Sequence, residues 1–170
     1  MKLVLWPIAL SAFAVPNAVK AETQAAFLVS AAIQPGCAVA SVADGQWGRI
    51  DFGTVPGTGQ GLVEVDLIGA TGTGISIECT PGTTVSVSAD HGLNPSAGVR
   101  HLAHSGGGGG SIPYRFVLAA GGGTWETQSL PLEFNGTQRV QAIALRGRAT
   151  LSGAHVSGMY SDTVRITIAW

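Results

Sequence analysis

Apolar residues fall on every second position over much of the chain, and no segment sustains a helical period. Val63, Val65 and Leu67 face one way over 61–68, with Glu64 and Asp66 on the other side. Ile75, Ile77 and Cys79 alternate next and stop at Pro81-Gly82, and Val85 and Val87 mark a strand over 83–89. A short strand is expected from Trp47 to Phe52, ended by Gly53, and a longer one from Ile112 to Leu118. Leu130 to Phe134 leads into Asn135-Gly136, a hairpin signal that predicts Arg139 to Leu145 as the return strand. The closing stretch puts Tyr160, Val164, Ile166, Ile168 and Trp170 on one face and Arg165 and Thr167 on the other. Between these, Asp90 to Ser111 has no clear pattern and holds Gly106 to Gly110, which reads as a flexible run. Short strands joined by Gly and Pro clusters predict an all-β sandwich, with a closed barrel as the second choice.

A further alternating stretch lies upstream. Ala25, Phe27, Val29, Ala31 and Ile33 hold the odd positions, while Gln24, Ala26, Leu28, Ser30 and Ala32 form a more mixed even set. No turn signal and no hairpin partner follow at once. An apolar strand without a partner is a liability on a secreted monomer, and it makes sense if it is meant for another molecule's sheet. The closing strand is expected to leave its outer edge uncovered. A sandwich lacking one strand and a chain carrying a spare one are the two halves of donor-strand complementation. The plainer alternative is that 25–33 pairs within its own domain as an edge strand.

The first residues read as a secretory leader. Lys2 supplies the positive start, Leu3 to Val15 the apolar core, and Val19-Lys20-Ala21 the cleavage region, so residues 1–21 are expected to be removed before Glu22. The core is too short to span a bilayer and no later run is long enough, so no membrane insertion is expected. Without Lys2 and Lys20 only arginines remain as strong cations, fewer than the ten acidic residues. No basic patch serves nucleic acid. Cys37 and Cys79 are the two cysteines of an exported chain and are expected to form a disulfide. Closing so long a loop contributes about 4 kcal/mol in the chain-entropy picture.

Candidate chemistry is thin. His101 and His104 lie three apart in a Gly-rich region rather than on a helix, and with His91 and His155 they read as loop histidines, not metal ligands. No GxSxG or phosphate-binding loop is present. Asp162 is one acid without a placed partner, so it is expected to bond backbone before the last strand. Asn135-Gly136-Thr137 matches the N-glycosylation acceptor and is read as a turn. No enzyme, metal or cofactor is expected.

Several segments, taken in order, resemble the spore coat protein U family, which includes pilins of archaic chaperone–usher pili. They are Phe27 to Ile33 before Cys37, Asp51-Phe52-Gly53, Ile75 to Cys79, Arg100-His101-Leu102, Ile112 to Phe116, and Gly158 to Val164 with Ile166, Ile168 and Trp170. The resemblance implies an incomplete immunoglobulin-like β-sandwich, with residues 22–34 as a donor strand and 35–170 as the pilin domain. It implies that Ala25, Phe27, Val29, Ala31 and Ile33 enter a neighbouring subunit. Tyr160, Val164, Ile166, Ile168 and Trp170 would border the acceptor groove and meet a periplasmic chaperone, and Cys37 and Cys79 would be the family's disulfide. The implied partners are neighbouring pilin subunits, that chaperone and an outer-membrane usher. The implied location is the cell surface, reached through the periplasm, or the extracellular space. Burying Phe27, Val29 and Ile33 would contribute roughly 5 to 8 kcal/mol before ordering costs. A one-residue slip would present the weaker even set. The implied role is a structural fibre subunit supporting adhesion and biofilm formation. The alternatives are a secreted spore-coat or matrix protein, or a tip adhesin that binds a surface ligand.

Overall fold

The computed structural model describes residues 22–43 and 45–170, so the leader expected at 1–21 lies outside the described residues. The chain divides into two units, with the boundary between Ala32 and Ile33. In the first, residues 22–32 carry no assigned strand and all are exposed, Phe27 by 86%.

The second unit is all-β. Its strands are β1 (Cys37–Val39), β2 (Gly48–Arg49), β3 (Gln60–Asp66), β4 (Ile68–Gly69), β5 (Gly72–Thr73), β6 (Ile75–Cys79), β7 (Thr84–Ala89) and β8 (Arg100–His104). They continue as β9 (Ser111–Leu118), β10 (Thr124–Trp125), β11 (Leu130–Glu133), β12 (Val140–Ile143), β13 (Leu145–Ser152), β14 (Tyr160–Ser161) and β15 (Ile166–Ala169). Every pairing among them is antiparallel. The largest sheet runs β14-β8-β9-β13-β3, with β10 added to β9. Two three-stranded sheets run β1-β6-β12 and β11-β7-β15, and a small one runs β2-β4-β5. Alternation fixes the inward face: Ile75, Ile77 and Cys79, then Val85, Val87 and Ala89, then Leu145, Ala149 and Leu151 are all buried. They meet Tyr114, Phe116, Trp125 and Phe134 in one core.

The structure corrects three expectations. The segments flanking Asn135-Gly136 do not form a hairpin, because β11 pairs with β7 whereas β12 pairs with β6. A two-residue hairpin of the Asn-Gly kind needs positive φ at both central residues, and Gly136 does not adopt one. Instead the Asn135 side chain caps a crossover between sheets. Second, the patternless 90–111 region contains β8, whose Arg100 is fully buried. In the same region Gly106 to Gly110 is a loop that wraps on His104: a Cβ on Gly109 would meet the His104 ring at 2.4 Å, so glycine is the residue that fits. Third, Tyr160 to Trp170 is two strands in two sheets: β14 pairs with β8 and β15 with β7.

Candidate functional site

The sheet β11-β7-β15 ends in two unlike edges. On one side β11 carries Pro131, which has no N–H to offer a further strand and so blunts that edge. On the other side β15 carries no proline and, among the described residues, pairs only with β7, Ile166 opposite Ala89 and Ile168 opposite Val87. The Asp90 amide donates to the Arg165 carbonyl at 3.0 Å, which sets the phase of the ladder. Hydrogen-bonded and non-hydrogen-bonded pairs alternate in an antiparallel ladder, so the N–H and C=O of Ile166 and Ile168 point away from β7. Their side chains stand perpendicular to the sheet, over the core, and with Val164 they are only half-buried there. The edge therefore offers backbone donors and acceptors beside partly covered apolar side chains.

The strand β1 is an edge of the same kind in its own sheet. The Ala40 amide donates to the Ser76 carbonyl at 3.2 Å and the Thr80 amide to the Gly36 carbonyl at 3.0 Å. By the same alternation the amides of Cys37 and Val39 point outward. Cys37 sits opposite Cys79 in the register, and the two are joined as a disulfide that ties this edge to β6.

Two aspartates fix where β15 begins. Asp90 accepts hydrogen bonds from the Gly92 and Arg165 amides, both at 2.9 Å. Asp162, in the break between β14 and β15, accepts from the Leu93 amide at 2.9 Å, Asn94 Nδ2 at 3.0 Å and the Tyr114 hydroxyl at 2.6 Å. Burial first, then the Asp162 hydrogen bond and charge, push the Tyr114 hydroxyl well above the ordinary phenol range, with Arg100 opposing. Below this network Arg100 donates to the carbonyls of Asp90 (2.8 Å), Trp125 (3.1 Å) and Glu126. Its guanidinium lies 4.5 Å from the Phe116 ring centre. Burial lowers its pKa from the usual guanidinium value, against the nearby negative charges. The aspartate at 162 thus bonds backbone as expected, but its partners come from a loop and a strand far away in sequence.

The predicted site residues do not all come together. Val164, Ile166 and Ile168 share the half-buried face. Tyr160 stands apart in β14, its hydroxyl 2.8 Å from the Gly109 carbonyl and 2.9 Å from that of Val156. Trp170 lies beyond β15 and is 62% exposed. Ala25, Phe27, Val29 and Ala31 are exposed in the first unit, and Ile33 is exposed at the start of the second. His101 Nδ1 lies 2.9 Å from the Val99 carbonyl, and His104 Nε2 lies 3.2 Å from that of Ser157. The roles of Arg100, Asp90 and Tyr114 in seating β15 were not read from the sequence. The one available signal was an arginine on the inward phase of the Arg100 to His104 stretch.

On the outer face of the large sheet, Arg146 meets Asp66 at 2.7 Å, and Arg148 pairs with Glu64. The hydrogen bond and charge of Arg146 hold the Asp66 carboxyl below the usual carboxylate range, and Asp66 in turn raises Arg146. These exposed pairs contribute little to stability.

The family described as Spore Coat Protein U domain matches residues 23–167 of the chain. None of the curated proteins compared with it matches. Among solved structures, it is similar to a chain in the CsuC–CsuE chaperone–tip adhesion subunit pre-assembly complex from archaic chaperone–usher Csu pili of Acinetobacter baumannii. The TM-score is 0.50 at 16% identity, covering 81% of this chain and 40% of that one. It is also similar to the P pilus rod subunit PapA, with a TM-score of 0.49 at 13% identity, covering 78% of this chain and 97% of that one. This chain thus spans well under half the length of the first of these relatives. At 16% identity the likeness to the first of these speaks for the fold alone, an all-β immunoglobulin-like sandwich.

Proposed function

The chain belongs to the Spore Coat Protein U domain family, and from that premise we propose that it is a structural subunit of an extracellular fibre. Its sandwich lacks one strand, and assembly supplies it. A periplasmic chaperone first lends a strand to the β15 edge, and an outer-membrane usher exchanges it for the 22–34 segment of the next subunit. Ala25, Phe27, Val29, Ala31 and Ile33 are the inward face of that donated strand. Val164, Ile166 and Ile168 are what it covers, and the outward N–H and C=O groups of Ile166 and Ile168 are what it bonds. Fibres so built serve adhesion and biofilm formation at the cell surface.

The observation that carries this reading is the half-buried inner face of β15, beside a backbone edge that pairs on one side only. In a finished sandwich such a face would be buried, as Leu145, Ala149 and Leu151 are in β13. The exposed apolar run 27–29, in a segment without a strand, supports the same reading. Tyr160 is not part of the proposed groove, since it serves the β14 side.

The test is assembly of the chain with and without residues 22–34. The full chain is expected to form heat-stable, SDS-resistant oligomers and the truncated chain to remain monomeric. Phe27→Asp is expected to block assembly while leaving the disulfide-bonded fold intact. Equal polymerisation by the truncated chain would overturn strand donation.

A further inference from the structure

We propose that Asn135 is a site of spontaneous deamidation, activated by its own turn. The turn sets three donors on the side-chain carbonyl of an Asn-Gly pair, where an oxyanion would develop. Asn135 Oδ1 accepts from the Thr137 amide at 3.1 Å, the Thr137 hydroxyl at 2.9 Å and the Gln138 amide at 3.0 Å. Three donors on one carbonyl oxygen polarise Cγ and stabilise negative charge as a tetrahedral centre forms, which is the logic of an oxyanion hole. Among the described residues the Gly136 amide and Asn135 Nδ2 donate to no protein acceptor, so attacking group and leaving group are both free. Space around Gly136 is open: a Cβ there would meet nothing within 4 Å. The turn is solvent-exposed, so water reaches it.

The chemistry needs only water. The Gly136 nitrogen bonds to Asn135 Cγ, the Cγ–Nδ2 bond breaks, and Nδ2 leaves as ammonia carrying the proton that Gly136 gives up. Water then opens the five-membered succinimide at either carbonyl, leaving aspartate or isoaspartate. The product adds a negative charge. In the isoaspartate form it also adds a methylene to the main chain at the β11–β12 crossover, one residue beyond the buried anchor Phe134.

The chain carries its own control. Asn94 precedes Pro95, which has no N–H to attack, and Asn94 Nδ2 is engaged by Asp162. The inference rests on this turn alone and stands or falls separately from the fibre reading.

The experiment incubates the purified, disulfide-bonded chain at mildly alkaline pH. Peptide mapping by mass spectrometry, with enzymatic isoaspartate detection, follows Asn94 and Asn135. Aspartate and isoaspartate are expected to accumulate at 135 while Asn94 stays amidated, and the folded chain is expected to convert at least as fast as the reduced, denatured chain. Thr137→Val keeps both backbone donors but removes the hydroxyl, and it is expected to slow conversion several-fold with an unchanged melting temperature. Asn135→Gln gives the background. Faster conversion in the denatured chain, or in Thr137→Val, would show that the turn protects Asn135 and would overturn the proposal.

Discussion

The strands β13 and β15 are written in the same alternating code and end in different states. In β13 the inward positions 145, 147, 149 and 151 are all buried, and the strand pairs with β9 on one side and β3 on the other. In β15 the inward positions 166 and 168 stop at half-buried, and among the described residues only β7 pairs with it. Alternation states which face turns inward. It does not state how completely that face is covered, because coverage depends on how many strands the sheet finally contains. On the proposed reading, the difference between the two strands measures what a donated strand would cover.

Replacing the same kind of residue in each strand is the strongest way to break this comparison. Leu145→Ala should cost about 2 to 5 kcal/mol of unfolding free energy, as for other fully buried leucines. Ile168→Ala should cost the monomer less, about 1 to 2 kcal/mol, because its side chain packs on the core but is only partly covered. Denaturant melts of the two variants check this, and equal losses would mean that the β15 face is already covered. Next in size is Arg100→Met, expected to cost about 2 to 3 kcal/mol in the same melts, since it strips three carbonyls of a buried cationic donor. It should also loosen β15, because the Asp90 segment that carries one of those carbonyls also caps Arg165.

The smallest effect concerns Tyr114. Its hydroxyl is held in the neutral form in the folded chain, with a pKa raised above the unfolded value of about 10. The stability this contributes is fully present below the unfolded pKa and is lost as pH climbs through the region above it. Tyr114→Phe should cost about 1 kcal/mol at neutral pH by removing the bond to Asp162. It should also flatten the alkaline fall in stability above about pH 10, read from melting temperatures across that range.

Much of the architecture was legible in the sequence because β3, β6, β7 and β9 alternate cleanly and a Gly or Pro follows each within three residues. The strand β8 was not, since a buried cation and two histidines break the apolar phase, and its burial rests on carbonyls and an aromatic ring from elsewhere in the chain. The crossover at Asn135 was misread because a dipeptide signals a turn more reliably than it signals which strands the turn joins. The closing stretch was misread as one strand. Asp162 looks like an ordinary polar position until the loop at 93–94 and Tyr114 are seen to bind it and divide β14 from β15. The edge residues Val164, Ile166 and Ile168 were legible, because a local pattern suffices to align them. Tyr160 shares their alternation in the sequence but lies in β14, because the break that separates it depends on distant partners.

The central claim is that the outer edge of β15 is a vacant place for a strand. Residue-resolved amide exchange on the isolated domain 35–170, with and without a synthetic peptide of residues 22–34, tests it most directly. The amides of Ile166 and Ile168 should exchange rapidly in the free domain, while those of Val85 and Val87 remain protected. Saturating peptide should slow both β15 amides strongly, and a peptide carrying Phe27→Asp should not. Slow exchange at 166 and 168 without peptide, or no change on adding it, would contradict the account.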